Sequence, residues 1–359
     1  MIRDILLASG PPVFLTSTFV FGTAEEGRDF FDYVSGRKQP PAGSAAGLVY
    51  SRFNHPNSEI VEDRLAVYER AESCALFSSG MAAMYCSMAA LLKSGDHVLA
   101  SRSLFGSTHQ ILTQLFPRVN ISHTYADITD LASWESKIQP NTKMIFVETP
   151  SNPALDIIDL EWLGKLAAKH NLILNVDNCF ATPYLQNPAK WGAHIVTHSA
   201  TKWMDGQGRV IGGAIVGKKE LIKEVRFFAR HTGPSMSPFN AWILSKSLET
   251  LAVRMERHCQ NALTLAHHLE KHPGVLKVKY PFLASHPQQA LAKKQMRHGG
   301  GIVTFEHAGG IEGGRKFLNS LKMISHTANL GDTRTIATHS ASTTHSKLTD
   351  AERAAVVAA

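Results

Sequence analysis

The chain has 359 residues, 44% of them apolar and 19% charged. That length fits two folded domains better than one, and that composition excludes a disordered protein. Lys and Arg outnumber Asp and Glu by 37 to 30, a net charge of +7, but no Lys/Arg block or nucleic-acid motif accompanies the excess. Anionic small molecules account for it as well as nucleic acid would, so no nucleic-acid partner is expected. The four cysteines, Cys74, Cys86, Cys179 and Cys259, lie far apart without a C-x-x-C pair, and the 18 histidines form no H-E-x-x-H. Neither a disulfide framework nor a metal site is expected. No run is long enough to span a bilayer and the start shows no leader pattern, which predicts a cytoplasmic protein with no membrane partner.

In chain order, residues 1–60 are rich in Gly, Pro, Ser and Thr, with breaks at Pro11-Pro12 and Pro40-Pro41. They read as an extended N-terminal arm with little core of its own. From 61 to 230, short apolar runs alternate with helical stretches; the predicted strands are 74–77, 97–100, 144–148, 172–177, 194–197 and 213–216. This alternation predicts an α/β domain with a mostly parallel, doubly wound sheet and helices on both faces. Ligands of such sheets sit beyond the carboxyl ends of the strands. The polar residues that follow these runs, Ser78-Ser79-Gly80, Glu148-Thr149-Pro150, Asp177-Asn178 and Ser199 to Lys202, are therefore expected on one rim.

Residues 231–359 read as a smaller C-terminal α+β domain. Leu244, Leu248, Leu251, Met255, Cys259, Ala262, Ala266 and Leu269 recur at spacings of three and four, which predicts one long helix with a core-facing stripe. His267, His268 and His272 read as solvated. Strands are expected over 275–281, 301–307 and 323–329.

Ser199-Ala200-Thr201-Lys202 follows one predicted strand and Asp177 closes another. A lysine between small hydroxyl residues can form a Schiff base while its neighbours hold a phosphate, and a strand-end aspartate can keep a pyridinium nitrogen protonated. Those are the protein-side requirements of pyridoxal 5′-phosphate (PLP) chemistry. The pair alone fits a surface lysine and a turn aspartate equally well. Ser79-Gly80-Met81-Ala82-Ala83 adds a strand-to-helix turn whose peptide N–H groups suit an anion.

Four segments carry a resemblance. Ser78-Ser79-Gly80-Met81-Ala82, Glu148-Thr149-Pro150-Ser151-Asn152-Pro153, Asp177-Asn178-Cys179-Phe180-Ala181-Thr182-Pro183 and His198-Ser199-Ala200-Thr201-Lys202 occur in the order and spacing of the Cys/Met-metabolism PLP enzymes, the trans-sulfuration family. The resemblance implies the PLP fold-type I architecture of the aspartate aminotransferases and a homotetramer assembled as a dimer of dimers. It makes Lys202 the Schiff-base lysine and Asp177 the partner of the ring nitrogen. It places Ser79, Gly80, Met81, Ser199 and Thr201 around the phosphate and Asn152 near the ring hydroxyl. Tyr50-Ser51-Arg52 resembles a family segment whose tyrosine and arginine reach the cofactor phosphate of the neighbouring subunit, a task suited to the forked guanidinium of Arg52.

Two departures shape the expected activity. Where many family members carry a tyrosine that stacks on the ring and moves protons, this chain has Leu104-Phe105-Gly106-Ser107-Thr108. Phe105 can stack on the cofactor but cannot act as an acid, and Ser107 stands where methionine γ-lyases resemble one another in a cysteine. Phe105, with Asp205-Gly206-Gln207-Gly208-Arg209, His231-Thr232-Gly233-Pro234 and Phe239-Asn240-Ala241-Trp242, is similar to the O-succinylhomoserine sulfhydrylase branch, near cystathionine γ-synthase. The family pattern also continues past a segment like Thr343-Thr344-His345 to an R-[LI]-S-x-G arginine that clamps the substrate carboxylate. No such motif occurs here, and Arg334 is the candidate substitute.

The expected activity is therefore γ-replacement on an activated homoserine by sulfide or cysteine. Two alternatives stay open: a C–S lyase of the cystathionine or methionine γ-lyase type, and a PLP-binding protein with little activity. The residues do not choose sulfide over cysteine, or a succinyl over an acetyl ester.

Overall fold

The computed structural model describes residues 10–128 and 130–343. Seven strands form its main sheet: β1 (Ser73–Phe77), β2 (His97–Ser101), β3 (Ser122–Ala126), β4 (Thr142–Glu148), β5 (Ile173–Asp177), β6 (Ile195–His198) and β7 (Gly213–Gly217). Their order is β1-β7-β6-β5-β4-β2-β3. All neighbours run parallel except β7, which is antiparallel to both β1 and β6.

The six strands predicted between 74 and 216 form within one or two residues of expectation. They are legible because a strand covered on both faces is largely apolar. Along β4, Met144 and Phe146 pack with Met84 and Met88, while Ile145 and Val147 pack with Leu163 and Leu174. Alternate side chains thus serve opposite layers. β3 was not predicted: at the sheet edge its sequence is Ser-His-Thr-Tyr-Ala and only Ala126 is buried.

The helices that matter for the site are α1 (Ala24–Ser35), α2 (Pro56–Glu69), α3 (Gly80–Ala89), α4 (Leu160–Lys169), α5 (Lys219–Thr232), α6 (Pro238–Leu248), α7 (Leu251–Leu269) and α8 (Gly310–Ser320). The starts of α1, α3 and α4 carry side-chain caps. Thr23 Oγ1 accepts the Glu26 N–H at 3.1 Å, Ser79 Oγ the Ala82 N–H at 3.1 Å, and Asp159 Oδ1 the Trp162 N–H at 3.0 Å.

The single long helix expected through residues 244–269 is two helices. The Ser247 carbonyl is taken by the Thr250 N–H, the Thr250 hydroxyl (3.1 Å) and Arg254 Nη2 (2.9 Å), which turns the chain out of the helical ladder between α6 and α7. The apolar stripe survives the break: Leu244, Leu248, Leu251, Met255, Cys259, Ala262 and Ala266 are all buried. Core packing was the correct reading of it.

Beyond α7, β8 (Val275–Lys279) pairs antiparallel with β9 (Thr304–His307), and β10 (Ser325–His326) pairs parallel with β11 (Ile336–Ala337). The strand expected over 323–329 shrinks to these two residues of β10. Met323 is exposed, and Asn329 leaves the strand direction to meet Lys202. No helix among the described residues is long and apolar enough to cross a membrane.

Candidate active site

Parallel strands end together, so β4, β5 and β6 deliver Glu148, Asp177 and His198 to one rim. Antiparallel β7 starts there, with Gly213 opposite Phe77 at the end of β1. The predicted convergence is thus met. Ser79 and Gly80 leave β1 and open α3, and Ser199 to Lys202 leave β6 in a turn closed by the Lys202 N–H on the Ser199 carbonyl at 3.1 Å.

The two turns touch. A Cβ on Gly80 would lie 2.6 Å from both Cβ and Oγ of Ser199, so only glycine lets the α3 N-terminus come this close. Met81 is half-buried in the first turn of α3. The Thr201 hydroxyl is bound to Gly212 through both its carbonyl (3.2 Å) and its N–H (3.0 Å), which orients the turn from below. Lys202 Nζ donates to Asn329 Oδ1 at 2.8 Å.

Asp177 is 5% exposed and makes no ion pair among the described residues. Its Oδ1 accepts the Cys179 N–H at 3.0 Å. Burial pushes its carboxyl up to about 6, although that hydrogen bond and the neighbouring His198 oppose the shift. Behind it lies a polar knot. Glu69, fully buried at the end of α2, accepts from His198 Nε2 at 2.6 Å and from Asn178 Nδ2 at 2.9 Å. Gln186 Nε2 in turn donates to Asn178 Oδ1 at 3.0 Å. One carboxylate therefore ties together the ends of the two strands that carry Asp177 and the Lys202 turn.

Phe105 follows β2 and is half-buried, its N–H held by Glu148 Oε2 at 2.7 Å. Asn152 is half-buried in the segment after β4, beside the buried Ser151. Tyr50 and Arg52 are not brought to the rim by this chain's own contacts. Arg52 donates to the Arg230 carbonyl and lies over the rings of Tyr50 and Phe53, with its guanidinium carbon 5.4 and 5.1 Å from their centroids. Arg334 is engaged with Asp332 (Nη2 to Oδ2, 2.7 Å) and its side chain is largely exposed. Thr344 and His345 lie outside the described residues.

Glu69 and Asn329 were missed by sequence reasoning. Each meets its partner across more than a hundred residues of chain, at separations of 129 and 127, and neither stands in a local pattern that announces it. A cavity of about 300 Å³ lined by Ile128, Leu131, Asp156 and Gln288 includes no rim residue. All four cysteines are free and buried.

A mostly parallel sheet with one antiparallel strand, and a lysine, a buried aspartate and a glycine-opened helix on one rim, define an α/β enzyme of PLP fold-type I. The chain belongs to the Cys/Met metabolism PLP-dependent enzyme family, whose profile matches residues 4–358. It is 45% identical over 345 residues to an O-succinylhomoserine sulfhydrylase of Pseudomonas aeruginosa, covering 96% of this chain and 83% of that protein. It is 44% identical over 347 residues to an L-methionine gamma-lyase of Porphyromonas gingivalis, covering 96% and 84%. Among solved structures, a putative O-acetylhomoserine (thiol)-lyase of Campylobacter jejuni containing N′-pyridoxyl-lysine-5′-monophosphate superposes with a TM-score of 0.90. It shares 32% identity over 97% of this chain and 88% of that one.

Proposed function

We propose that the rim holds PLP and that the chain replaces the γ-substituent of an activated homoserine, a succinyl or acetyl ester, by a thiol. The observation that carries this reading is the pairing on one rim of Lys202 with a buried Asp177 that makes no ion pair among the described residues. The residues fit the cofactor. Asp177 offers a buried negative charge to a group that brings its own positive one, and the Gly80–Ser199 approach leaves peptide N–H groups and hydroxyls for a phosphate.

When bound, PLP supplies an electron sink that makes protons at Cα and Cβ of an amino acid removable and its γ-substituent expellable. Lys202 would hold the cofactor through Nζ and would move those protons with the same atom. Asn329 is within reach to orient Nζ. Asp177 keeps the proton on the ring nitrogen. Ser79, Gly80, Met81, Ser199 and Thr201 bind the phosphate, Asn152 lies near the ring hydroxyl, and Phe105 stacks on the ring.

Phe105 favours replacement over elimination of a thiol. It has no hydroxyl to protonate a departing thiolate, whereas a carboxylate leaves without that help. The likeness to the O-succinylhomoserine sulfhydrylase supports this reading. The likeness to L-methionine gamma-lyases supports the second one, in which the thiol leaves and water completes the reaction.

We place the protein in the cytoplasm as a transferase, a homotetramer assembled as a dimer of dimers, with Tyr50 and Arg52 serving the phosphate in the neighbouring subunit. Its organisation is an arm (1–60), a PLP-binding domain (61–230) and a C-terminal domain (231–359).

The test supplies O-succinylhomoserine or its acetyl counterpart, with and without sulfide or cysteine, and compares homocysteine or cystathionine with 2-oxobutyrate. Thiol-dependent homocysteine or cystathionine is expected. Dominant 2-oxobutyrate at saturating thiol, or rapid breakdown of methionine alone, would make it a lyase. Bound PLP with no turnover of any of these would make it a binding protein.

A further inference from the structure

Glu148 ends β4 directly opposite Asp177 on β5 and is 3% exposed, yet nothing in the reaction above uses it. Among the described residues its hydrogen bond to a peptide is the 2.7 Å contact from the Phe105 N–H to Oε2. Phe105 precedes the short helix Gly106–Gln110, whose start has no side-chain cap, so Glu148 is what pins the entry to that turn.

The groups facing Glu148 are Asp177 on β5, with His198 and Lys202 beyond it on β6 and the turn after it, and the Cys179 thiol. None of them pairs with it. Two buried carboxyls on adjacent strands cannot both ionise without a cation between them. Burial pushes Glu148 well above the usual carboxylate range, and the charge of Asp177 pushes it further the same way. Asp177 is the one with a prospective cationic partner, the cofactor's ring nitrogen. The hydrogen bond from the Phe105 N–H opposes the rise at Glu148 but is the last of its causes, so Glu148 is left as the neutral member, and a protonated carboxyl still keeps an oxygen that accepts a peptide N–H.

We propose that Glu148 is a positioning residue: through the Phe105 peptide it fixes the Phe105 ring against the cofactor, and it does so as an uncharged acid that leaves Asp177 alone to answer the ring nitrogen. This rests on the reading that Phe105 faces PLP.

The test uses the PLP-loaded protein and reads the visible circular-dichroism band of the bound cofactor and its dissociation constant. Glu148→Gln keeps a neutral acceptor in place and is expected to hold both within about two-fold of wild type. Glu148→Ala, and Glu148→Asp as a smaller change that withdraws the acceptor by one methylene, are expected to lose at least half the band and to weaken binding about ten-fold. In a Phe105→Ala background, Glu148→Ala is expected to add less than about two-fold, since both changes remove one interaction. Gln behaving like Ala, or the Glu148 and Phe105 effects adding in full, overturns the proposal. A normal band in both Glu148→Ala and Glu148→Asp alongside a reduced one in Phe105→Ala overturns it while leaving the stacking reading intact. A normal band in Phe105→Ala overturns the stacking reading and the proposal with it.

Discussion

Burial lifts the Asp177 carboxyl to about 6 from an ordinary 3.8, which gives PLP-free protein a pH signature. The native chain holds a proton there that the unfolded chain has already released. The contribution of this group to stability is therefore fully present below about 4 and is lost as pH rises through about 6, the native state binding more protons there across that window. Glu148, raised by the same burial, extends the fall in the same direction. Asp177→Asn removes the Asp177 part, so its melting temperature should decline less between pH 4 and 7 than that of wild type. Parallel pH profiles for the two proteins would contradict this. With PLP bound, the same variant should keep the cofactor but turn over about a hundred-fold more slowly, about 2.7 kcal/mol of lost transition-state stabilisation. Asp177 and Lys202 were legible because each follows an apolar run. Glu69 and Asn329 were not, because their partners are distant in sequence and their own neighbourhoods are ordinary.

At the scale of elements, legibility tracked burial. β2 and β4 to β7 are covered on both faces, and their sequences say so. β3 sits at an edge where polar side chains are tolerated, and no apolar period marks it. The stripe from Leu244 to Leu269 correctly identified a packed face but not the break between α6 and α7. Periodicity reports which residues face the core, while the break depends on which groups claim the Ser247 carbonyl, Thr250 and Arg254. β10 was overestimated for a related reason. The strand ends early because Asn329 turns toward Lys202 and Gly331, at φ +86°, packs where a Cβ would stand 2.5 Å from the Lys202 carbonyl carbon. That close approach joins the C-terminal segment to the lysine turn, and a pattern of apolar residues carries no trace of it.

At the scale of the whole molecule, the rim is built by one chain, while Arg52 contacts the Arg230 carbonyl and the rings of Tyr50 and Phe53 rather than rim residues, in an N-terminal segment that exposes Leu15, Val20 and Phe31. If the arm serves a neighbouring subunit, each site needs two chains. Arg52→Ala and Lys202→Ala subunits are then each deficient alone but complementary when mixed, since one of the two sites in a mixed dimer has both residues intact. Recovery of up to about a quarter of wild-type activity is expected if subunits mix at random. No recovery in confirmed mixed dimers would put Arg52 outside the neighbour's site. The fold class was legible at this scale because strand–helix alternation is a property of the whole sequence. The assembly is an expectation from resemblance alone, since no contact within one chain reports it.

Everything proposed for the rim depends on Lys202 being the residue to which PLP is joined. Borohydride reduction of the PLP-loaded protein followed by peptide mapping tests it most directly. A pyridoxyl label is expected on Lys202 and on no other residue. A label on a different lysine, or a bound chromophore that reduction fails to fix to the chain, would contradict it.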